Sequence, residues 1–471
     1  MKVESVLDGL LESYHEEMCK ELQVLLRFKT IRGAAGPQIP FGIEIGRALD
    51  YIMDLGRKKG FDCIDFDGYA CEMNLRAGDK AVGVISHLDV VPEGLGWAFK
   101  PYGGEIIDGK IYGRGAVDDK GPLIAAFYAC LAIKESGLPI SKTIKQIIGT
   151  DEESGKFDCI KYYKEKAEVP ALGIVPDSWF PAVYAEKGFV NYIWTKKIHA
   201  STDGDLELVE IIGGEAFNIV ASNAQIKFKA SHVGKNQIAK AYAKFKEESM
   251  TTGIEILDEN GLLCITFSGL AAHASVPEDG INAISLLLRF LKTVDFDPPD
   301  LCATLHQLAE LIGNDSDGEG LGVGFEDHTG ALTNNVGIIH LNQQQLEIKM
   351  NIRCPVTLKM DELYSCLIKA AGKAGMSYEL INYNPHFYID PQNVQVKMLV
   401  DIYRAVTGDY KSQPKAHGGG SYARILENFI PFGPSIQDEP LIFHKHDEYI
   451  SVNRLLILSK IYARALYEMA K

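Results

Sequence analysis

The alternation of apolar and polar positions predicts strands and helices in turn over the first 190 residues. Ala81–Ser86, Lys142–Gly149 and Leu172–Val175 have the pattern of short buried strands. Gly42–Gly60 and Pro122–Ser136 instead have the pattern of helices. Strand–helix alternation of this kind is typical of a mainly parallel sheet that is covered by helices on both faces. The pattern therefore predicts an α/β fold.

The pattern changes over residues 189–384. Longer loops appear, together with amphipathic helical stretches at Gln237–Glu248 and Ala283–Leu291. Strands such as Gln345–Arg353 alternate between apolar and polar positions, as expected for a sheet with one solvated face. This part of the chain is predicted to be of the α+β class.

The α/β pattern resumes towards the C-terminus, with helices predicted at Val394–Thr407 and Val452–Met469. The order of the segments fits one domain inserted within another. We therefore expect residues 1–188 and 385–471 to form a discontinuous α/β domain, with residues 189–384 as the inserted domain.

The composition narrows the class of protein. Of 471 residues, 46% are hydrophobic and 24% charged, which excludes wholesale disorder. A net charge of −15 argues against a non-specific nucleic-acid binder.

Residues 3–28 have the pattern of an amphipathic helix rather than a signal peptide. The apolar run Leu123–Ile133 is shorter than the ~20 residues of a membrane span. Nine scattered cysteines without a CxxC pair indicate free thiols in a reducing compartment. We predict a cytoplasmic protein whose partner is a small molecule, and neither nucleic acid nor a membrane.

Potential metal ligands follow each of the three predicted strands directly. Because the carboxyl ends of strands form the ligand crevice of an open α/β sheet, these side chains should lie at one edge. A glycine-rich loop before the helix predicted at Pro122–Ser136 adds a carboxylate. In chain order the candidates are His87 and Asp89, Asp118 in the loop, Glu152 and Glu153, and Asp177. Mixed nitrogen and oxygen ligation suits zinc, and manganese or cobalt would also fit.

Each candidate also has an ordinary structural explanation. A histidine after a strand is often a hydrogen-bonded core residue, adjacent glutamates often form a solvated turn, and Asp118-Asp119 before a helix is typical of a helix cap. The acid two positions after His87 adds weight, because a ligating imidazole usually donates its other N–H to a carboxylate. The convergence of all these residues on one sheet edge favours a metal site.

The complete set of motifs resembles that of the co-catalytic metallopeptidases, the family that includes aminoacylase, carnosinase, glutamate carboxypeptidase and succinyl-diaminopimelate desuccinylase. The resemblance covers nearly the whole chain, and the long insertion with its Glu186-Lys187-Gly188 junction is most similar to the bacterial peptidase V branch of dipeptidases. It implies a phosphorylase/hydrolase-like catalytic domain with an inserted lid domain. The matching motifs are His87–Pro92, Gly113–Gly121, Thr150–Gly155, Pro176-Asp177, Asn218, Gly269–Pro277, Asn351–Arg353, Gly418–Arg424 and His444–Glu448.

The resemblance implies two divalent metal ions, zinc first, with manganese or cobalt as alternatives. Asp118 should bridge them, His87 and Asp177 should complete one site, and Glu153 and His444 the other.

Two neighbouring residues could replace members of this set. Asp118 is preferred to Asp119 because the family's bridging aspartate lies three positions after Gly-Arg-Gly. His444 is preferred to His446 because the family's ligand lies four positions before its glutamate, here Glu448. By the same resemblance, the peptide bond before Asp119 is expected to be cis.

The same resemblance assigns the catalytic residues. Glu152 would be the general base for a metal-bridged water, and Asp89 would orient His87. His273 would donate to the developing oxyanion. An ordinary core histidine is the alternative for His273.

Substrate contacts follow by resemblance as well. Asn218 would contact the substrate, Arg353 would bind its carboxylate, and the amides of Gly419 and Gly420 would approach the same carboxylate. A surface ion pair is the alternative for Arg353. The chain departs from the family where Val220 is followed by Ala-Ser rather than Pro-Asp.

The function expected from this resemblance is hydrolysis of unspecific Xaa-Xaa dipeptides, β-alanyl dipeptides included, by a monomer. The alternative within the same chemistry is an N-acyl amino acid amidohydrolase. A catalytically silent binding protein is the alternative outside it, but such a protein is expected to lose a ligand or the general base. The metal ligands and Glu152 are all present.

Overall fold

The structure, a computed structural model, describes residues 2–198, 204–249, 253–259, 262–313, 316–426, 428–436 and 442–471. The α-helices of the described residues are α1 (Val3–Leu26), α2 (Ile43–Lys58), α3 (Lys120–Ser136), α4 (Asp158–Lys166), α5 (His232–Ser249), α6 (Ala283–Leu291), α7 (Pro299–Ile312), α8 (Met360–Lys373), α9 (Val394–Thr407) and α10 (Val452–Ala470). The strands are β1 (Asp62–Phe66), β2 (Ala70–Leu75), β3 (Ala81–His87), β4 (Glu105–Ile107), β5 (Lys110–Tyr112), β6 (Thr143–Gly149), β7 (Gly173–Val175), β8 (Ser178–Trp179), β9 (Val183–Glu186), β10 (Gly188–Lys197), β11 (Leu206–Gly213), β12 (Asn223–Ala230), β13 (Ile254–Glu259), β14 (Leu262–Ser268), β15 (Glu326–Asp327), β16 (Gly330–Ala331), β17 (Thr333–Leu341), β18 (Gln345–Cys354), β19 (Ser377–Asn384), β20 (Phe387–Tyr388), β21 (Lys415–His417), β22 (Phe429–Pro431), β23 (Pro434–Ser435) and β24 (Tyr449–Ser451).

The chain divides into two units. The first unit comprises Met1–Tyr184, Tyr388–Lys415 and Gly420–Lys471, and the second comprises Ala185–Phe387 and Ala416–Gly419. The predicted boundaries after residues 188 and 384 lie instead after Tyr184 and Phe387, and the short segment Ala416–Gly419, predicted for the first unit, belongs to the second.

Two hydrogen bonds explain why this segment groups with the second unit. Lys187 N–H donates to the carbonyl of His417 at 3.0 Å. Arg353 Nη1 donates to the carbonyl of Gly418 at 2.9 Å. Both donors lie in the second unit, in sequence far from the segment that they hold.

A six-stranded sheet forms the centre of the first unit, in the order β1-β2-β6-β3-β7-β22. The strands β6, β3, β7 and β22 run parallel, as the strand–helix alternation predicts. The pair β1–β2 adds an antiparallel edge that the sequence analysis did not predict. The α/β class is confirmed, with a sheet that is mixed rather than wholly parallel.

The helix α3 lies in the core of the first unit and packs against α1 and α10. Every residue from Lys120 to Ile133 is buried. A helix that is apolar on all sides is expected in this position, since a surface helix would keep one polar face. The loop before α3 is therefore anchored by a helix that has little freedom to move.

The second unit is built on an eight-stranded sheet, in the order β13-β14-β12-β11-β17-β18-β10-β19. The pairings along this sheet are antiparallel. Burial alternates along β10, so one face is covered and the other is more exposed. The helix α6 packs on β12, β14 and β17, and α8 packs on β19. This is the α+β arrangement that the sequence predicts for the insertion.

None of the helices in the described residues combines the length and the apolar content that a membrane crossing requires.

Candidate metal centre

The strands β3, β6 and β7 of the first unit deliver the candidate ligands to one edge of the sheet. β3 ends at His87, which pairs with Gly149 at the end of the parallel strand β6. Glu153 follows β6 by four positions, and Asp177 follows β7 by two. The carboxyl ends of parallel strands meet at one edge, so residues distant in sequence come together here.

Asp118 is shared between two groups of side chains. Its Oδ1 lies 3.1 Å from His87 Nε2, and its Oδ2 lies 3.0 Å from His444 Nε2. His87 Nε2 is also 3.7 Å from Asp177 Oδ2, and His444 Nε2 is 3.2 Å from Glu153 Oε2. Within each group the ligand atoms all lie within 4.8 Å of one another. The five predicted ligands thus form two groups, each of which uses a different oxygen of one aspartate.

The donor set fits two divalent ions. Imidazole nitrogen and carboxylate oxygen are ligands that zinc, manganese and cobalt accept. Glu153 Oε1 is buried and has no hydrogen-bond partner among the described residues. Buried carboxylates in such number are costly unless positive charge compensates them. Two cations at this place would supply that charge, and Glu153 Oε1 would gain a partner.

The pKa values of His87 and Asp118 reflect the close packing of charged groups at this edge of the sheet. Burial lowers the pKa of His87, but the neighbouring carboxylates of Asp118, Asp89 and Asp177 outweigh burial, and the pKa lies well above its ordinary value. Burial raises the pKa of Asp118, but hydrogen bonds with His444 and His87 hold it well below its ordinary value. These shifts show how strongly the carboxylates of this edge favour a neighbouring positive charge.

Glu152 is buried beside the two groups and belongs to neither of them. Burial, and next the Asp177 carboxylate, raise the pKa of Glu152 well above its ordinary value. A carboxylate that is close to a metal centre without ligating it can accept and return a proton.

Asp89 contacts His87 through its backbone carbonyl, whereas the sequence analysis predicts its carboxylate for this contact. The backbone carbonyl of Asp89 accepts from His87 Nδ1 at 2.9 Å, whereas the carboxylate is 3.6 Å from that nitrogen. The carboxylate instead accepts the backbone N–H groups of Glu152, at 3.0 Å, and Glu153, at 2.9 Å. Asp89 therefore fixes the turn that separates these two glutamates. With its Nδ1 proton on a carbonyl, His87 keeps Nε2, the nitrogen that faces Asp118 and Asp177, as the atom that would bind a metal ion.

The two alternative ligands lie outside both groups. Asp119 Oδ2 accepts the backbone N–H of His87 at 3.0 Å, and the peptide bond between Asp118 and Asp119 is cis. His446 is exposed, and its Nδ1 contacts the neighbouring Asp447 carboxylate at 3.3 Å. The geometry therefore favours Asp118 and His444, the residues preferred in the sequence analysis.

Glu448 holds the loop that carries Asp118, a role that the sequence analysis did not predict. It is fully buried, and its Oε1 accepts the backbone N–H groups of Val117 at 2.9 Å and Asp118 at 3.2 Å. Its Oε2 accepts from Gly115 N–H at 3.1 Å and from Arg114 Nη1 at 2.7 Å. In the sequence, Glu448 is marked only by its position four residues after His444. That spacing does not indicate a contact with the loop that carries Asp118.

In the second unit, backbone pairing brings Asn218 and His273 side by side. Ala274 N–H donates to the carbonyl of Asn218 at 2.9 Å, and Ile219 forms a β-bridge with His273. His273 is exposed, and its Nδ1 accepts the backbone N–H of Ser275 at 3.3 Å. This contact favours the tautomer that carries its proton on Nε2, as a hydrogen-bond donor requires.

Arg353 is buried in the second unit, and its guanidinium makes defined contacts. Nε donates to Asn351 Oδ1 and Nη1 to the Gly418 carbonyl, both at 2.9 Å, and the group lies 4.7 Å from the centre of the Phe189 ring. The surface ion pair is therefore wrong for this arginine. Gly419 N–H donates to His417 Nδ1 at 2.9 Å, and the contact of this amide with a substrate carboxylate stays a prediction.

Gly420 lies in the first unit. A Cβ at this position would collide with Cζ of Arg424, so a larger residue would displace that guanidinium.

Two adjacent groups of candidate metal ligands that share one aspartate, at the carboxyl edge of an α/β sheet, are typical of co-catalytic metal-dependent hydrolases. Sequence comparison then gives the family. Residues 83–468 match the model of peptidase family M20/M25/M40, and the chain belongs to this family. It is therefore a hydrolase of the metallopeptidase class, and the resemblance noted in the sequence is confirmed at the level of the family.

Similar proteins cover the whole length of the chain. The chain is 35% identical to a Bacillus subtilis (strain 168) protein named "Putative dipeptidase YtjP", over 97% of this chain and 98% of the relative. A Staphylococcus epidermidis protein of the same description is 32% identical over 97% of each chain. Among solved structures, human carnosine dipeptidase 1 superposes with a TM-score of 0.58 at 14% identity, covering 100% of this chain and 99% of the other. At that identity the superposition supports the fold alone.

Proposed function

We propose that this protein is a dipeptidase that depends on two divalent metal ions and cleaves dipeptides of varied sequence, β-alanyl dipeptides included. The observation that carries the proposal is the shared Asp118, whose two oxygens face His87 and His444 at 3.1 and 3.0 Å. The names of the two relatives support the dipeptide as substrate. We propose zinc as the metal, with manganese or cobalt as alternatives, because the ligands are nitrogen and oxygen only.

When bound, the two ions would act as Lewis acids towards the scissile carbonyl and the attacking water. The ligands would be His87, Asp118 and Asp177 for one ion, and Asp118, Glu153 and His444 for the other. The protein's own part in proton transfer falls to Glu152, which would accept a proton from water and return it to the leaving amine. Asp89 would hold Glu152 and Glu153 in their separate orientations through their backbone amides.

The second unit would supply the groups that recognise the substrate. His273, with its proton on Nε2, would donate to the oxyanion that develops on the scissile carbonyl. Asn218, which is paired with it through the backbone, would contact the substrate. Arg353 would bind the terminal carboxylate, alone or through the Gly418–Gly420 segment that it holds.

We further propose a cytoplasmic location. Each of the nine cysteines is a free thiol, and most of them are buried. Free thiols in this number are typical of proteins in reducing compartments.

The proposal can be tested with substrates that differ in length or lack a free amino group. The decisive measurement is kcat/KM for Ala-Ala, Ala-Ala-Ala and N-acetyl-Ala on one metal-loaded preparation, with Glu152→Gln protein as the control for contaminating peptidases. We expect Ala-Ala to be cleaved at least tenfold faster than either other compound. If N-acetyl-Ala is the best substrate, the protein is an N-acyl amino acid amidohydrolase instead. Equal rates for the tripeptide would contradict recognition of both ends of a dipeptide.

A further inference from the structure

Among the described residues, one more group has the composition of a metal site, and it lies in the second unit. The group consists of Asp295, Cys302 and His306, whose ligand atoms are within 4.8 Å of one another. None of these residues belongs to the metal centre of the first unit.

Helical spacing places two of the three side chains together. Cys302 and His306 are four positions apart on α7, so they lie on the same face. Cys302 Sγ is 3.5 Å from His306 Nε2. Asp295 lies in the turn between α6 and α7, and its exposed position leaves room for a cation to enter from solvent.

Backbone carbonyls converge on the same nitrogen. The carbonyl oxygens of Leu291 and Val294 are each 3.0 Å from His306 Nε2. Cys302 Sγ is 3.9 Å from the Val294 oxygen. Leu291 is the last residue of α6, and its carbonyl also accepts the backbone N–H of Val294 at 3.1 Å.

The nitrogen, the sulfur and the two carbonyl oxygens face one small space. Without a metal ion, the imidazole N–H lies between the two carbonyls, and the Cys302 thiol donates to the Val294 oxygen. In a tetrahedral zinc site, with metal–nitrogen and metal–sulfur bonds of about 2.0 and 2.3 Å, the nitrogen and sulfur lie roughly 3.5 Å apart. The separation of Cys302 Sγ from His306 Nε2 is 3.5 Å.

We propose that Cys302, His306 and Asp295 bind a third metal ion of the zinc type, with one of the carbonyls of Leu291 and Val294 as the fourth ligand. A thiolate and a carboxylate offset the two positive charges of such an ion. A thiolate ligand favours zinc or cobalt over manganese or magnesium. The ion would tie the turn after α6 to α7, which is a structural role, and the proposal does not depend on the proposed dipeptidase activity.

Cobalt is the probe that separates this site from the metal centre. The ligands of the metal centre are nitrogen and oxygen only, so they cannot give the near-ultraviolet charge-transfer absorption of a cobalt–thiolate bond. We expect metal-free protein that is saturated with Co²⁺ to show this band. Cys302→Ser should abolish it, whereas Cys366→Ser, a half-buried cysteine of α8 in the same unit, should retain it.

Metal counting gives a second readout. With Zn²⁺ we expect three ions per chain in the parent and in Cys366→Ser, and two in Cys302→Ser. His306→Gln keeps a side-chain N–H for the carbonyls and removes the imidazole ligand, so this variant should also lose the band. If a variant fails to fold, the unsubstituted protein still tests the proposal: when it is saturated with Co²⁺ and shows no cobalt–thiolate band, the proposal is overturned. A band that persists in folded Cys302→Ser overturns it as well.

Discussion

At the scale of single residues, two neighbouring glutamates are expected to have different tasks. Glu153 Oε2 lies 3.2 Å from His444 Nε2 within one ligand group, while Glu152 belongs to neither group. Asp89 accepts both backbone N–H groups and so fixes the turn from which the two side chains diverge. A base that ligated the metal would have its lone pairs occupied, so the separation is chemically required.

This separation predicts opposite results for two substitutions of the same kind. Glu152→Gln should keep both metal ions of the metal centre and lower kcat by about 10²–10⁴-fold, because it removes only the proton acceptor. Glu153→Gln should lower metal occupancy, because an amide is a weaker ligand than a carboxylate. Metal counting and kcat on the two purified variants test this. Equal loss of metal in both would show that the two roles are assigned wrongly.

At the scale of elements, the ends of β3, β6 and β7 decide how much of the site the sequence could predict. These strands were found within two residues because they are apolar runs buried within the sheet, and the ligands follow them directly. The strand β2 was missed because its pattern includes Glu72 and Asn74, both of which are buried.

The reason for the missed strand is tertiary. Glu72 accepts from Tyr163 at 2.7 Å and pairs with Lys145 at 3.2 Å, partners that no local pattern indicates. Glu448 was missed as a positioning residue for the same reason, since its four donors lie more than 300 positions away. Local periodicity predicts elements, whereas contacts between buried polar groups depend on the finished fold.

The loop before α3 should be sensitive to the carboxylate that anchors it. Glu448→Gln removes the charge that pairs with Arg114, whose side chain is only 2% exposed, and turns an amide N–H₂ towards backbone donors. Breaking a buried ion pair costs about 3–5 kcal/mol, and we expect that loss in the free energy of unfolding from urea titration. Metal occupancy should fall as well. One of the two donor pairs, Arg114 with Gly115 or Val117 with Asp118, then faces an amide N–H₂ instead of an oxygen, which loosens the loop that carries Asp118.

A surface pair provides the control for this prediction. Glu44 Oε1 contacts Arg47 Nη1 at 2.6 Å on the solvent-facing side of α2. Glu44→Gln should change the free energy of unfolding by less than about 1 kcal/mol. A similar small change for Glu448→Gln would mean that the loop is held by other contacts.

Two glycines of the first unit should respond to alanine with opposite signs. A Cβ at Gly173 in β7 would lie 2.6 Å from the backbone oxygen of Gly83 and would also meet the Phe429 ring. Overpacking of this kind costs about 1–3 kcal/mol. Gly9 in α1 has nothing within 4 Å of the same position, so Gly9→Ala should stabilise by about 0.5–1 kcal/mol through helix propensity. Thermal unfolding of both variants tests the pair, and a stabilised Gly173→Ala would contradict the packing around β7.

At the scale of the whole molecule, the size of the second unit bears on the oligomeric state. Its eight-stranded sheet consists of two four-stranded halves, β13-β14-β12-β11 and β17-β18-β10-β19. The halves join where Ile211–Gly213 pair with Ile339–Leu341. From the resemblance to the peptidase V branch, we predict that the second half takes the place that a partner chain has in smaller relatives. Here one chain supplies both halves.

We therefore expect a monomer of 51.9 kDa, in which His273 acts on the substrate of its own chain. Sedimentation velocity should show one species of that mass at micromolar concentration.

Complementation gives a sharper test, because Glu152→Gln and His273→Ala each remove a different catalytic group. If the histidine were supplied by a partner, mixing the two inactive variants would create sites with both groups intact and would restore activity. In a monomer the mixture should stay at the sum of the two separate activities. Restored activity together with a species of twice the mass would contradict the monomer, and the exposed Leu380 and Ile381 of the edge strand β19 would then be the first positions to change to lysine.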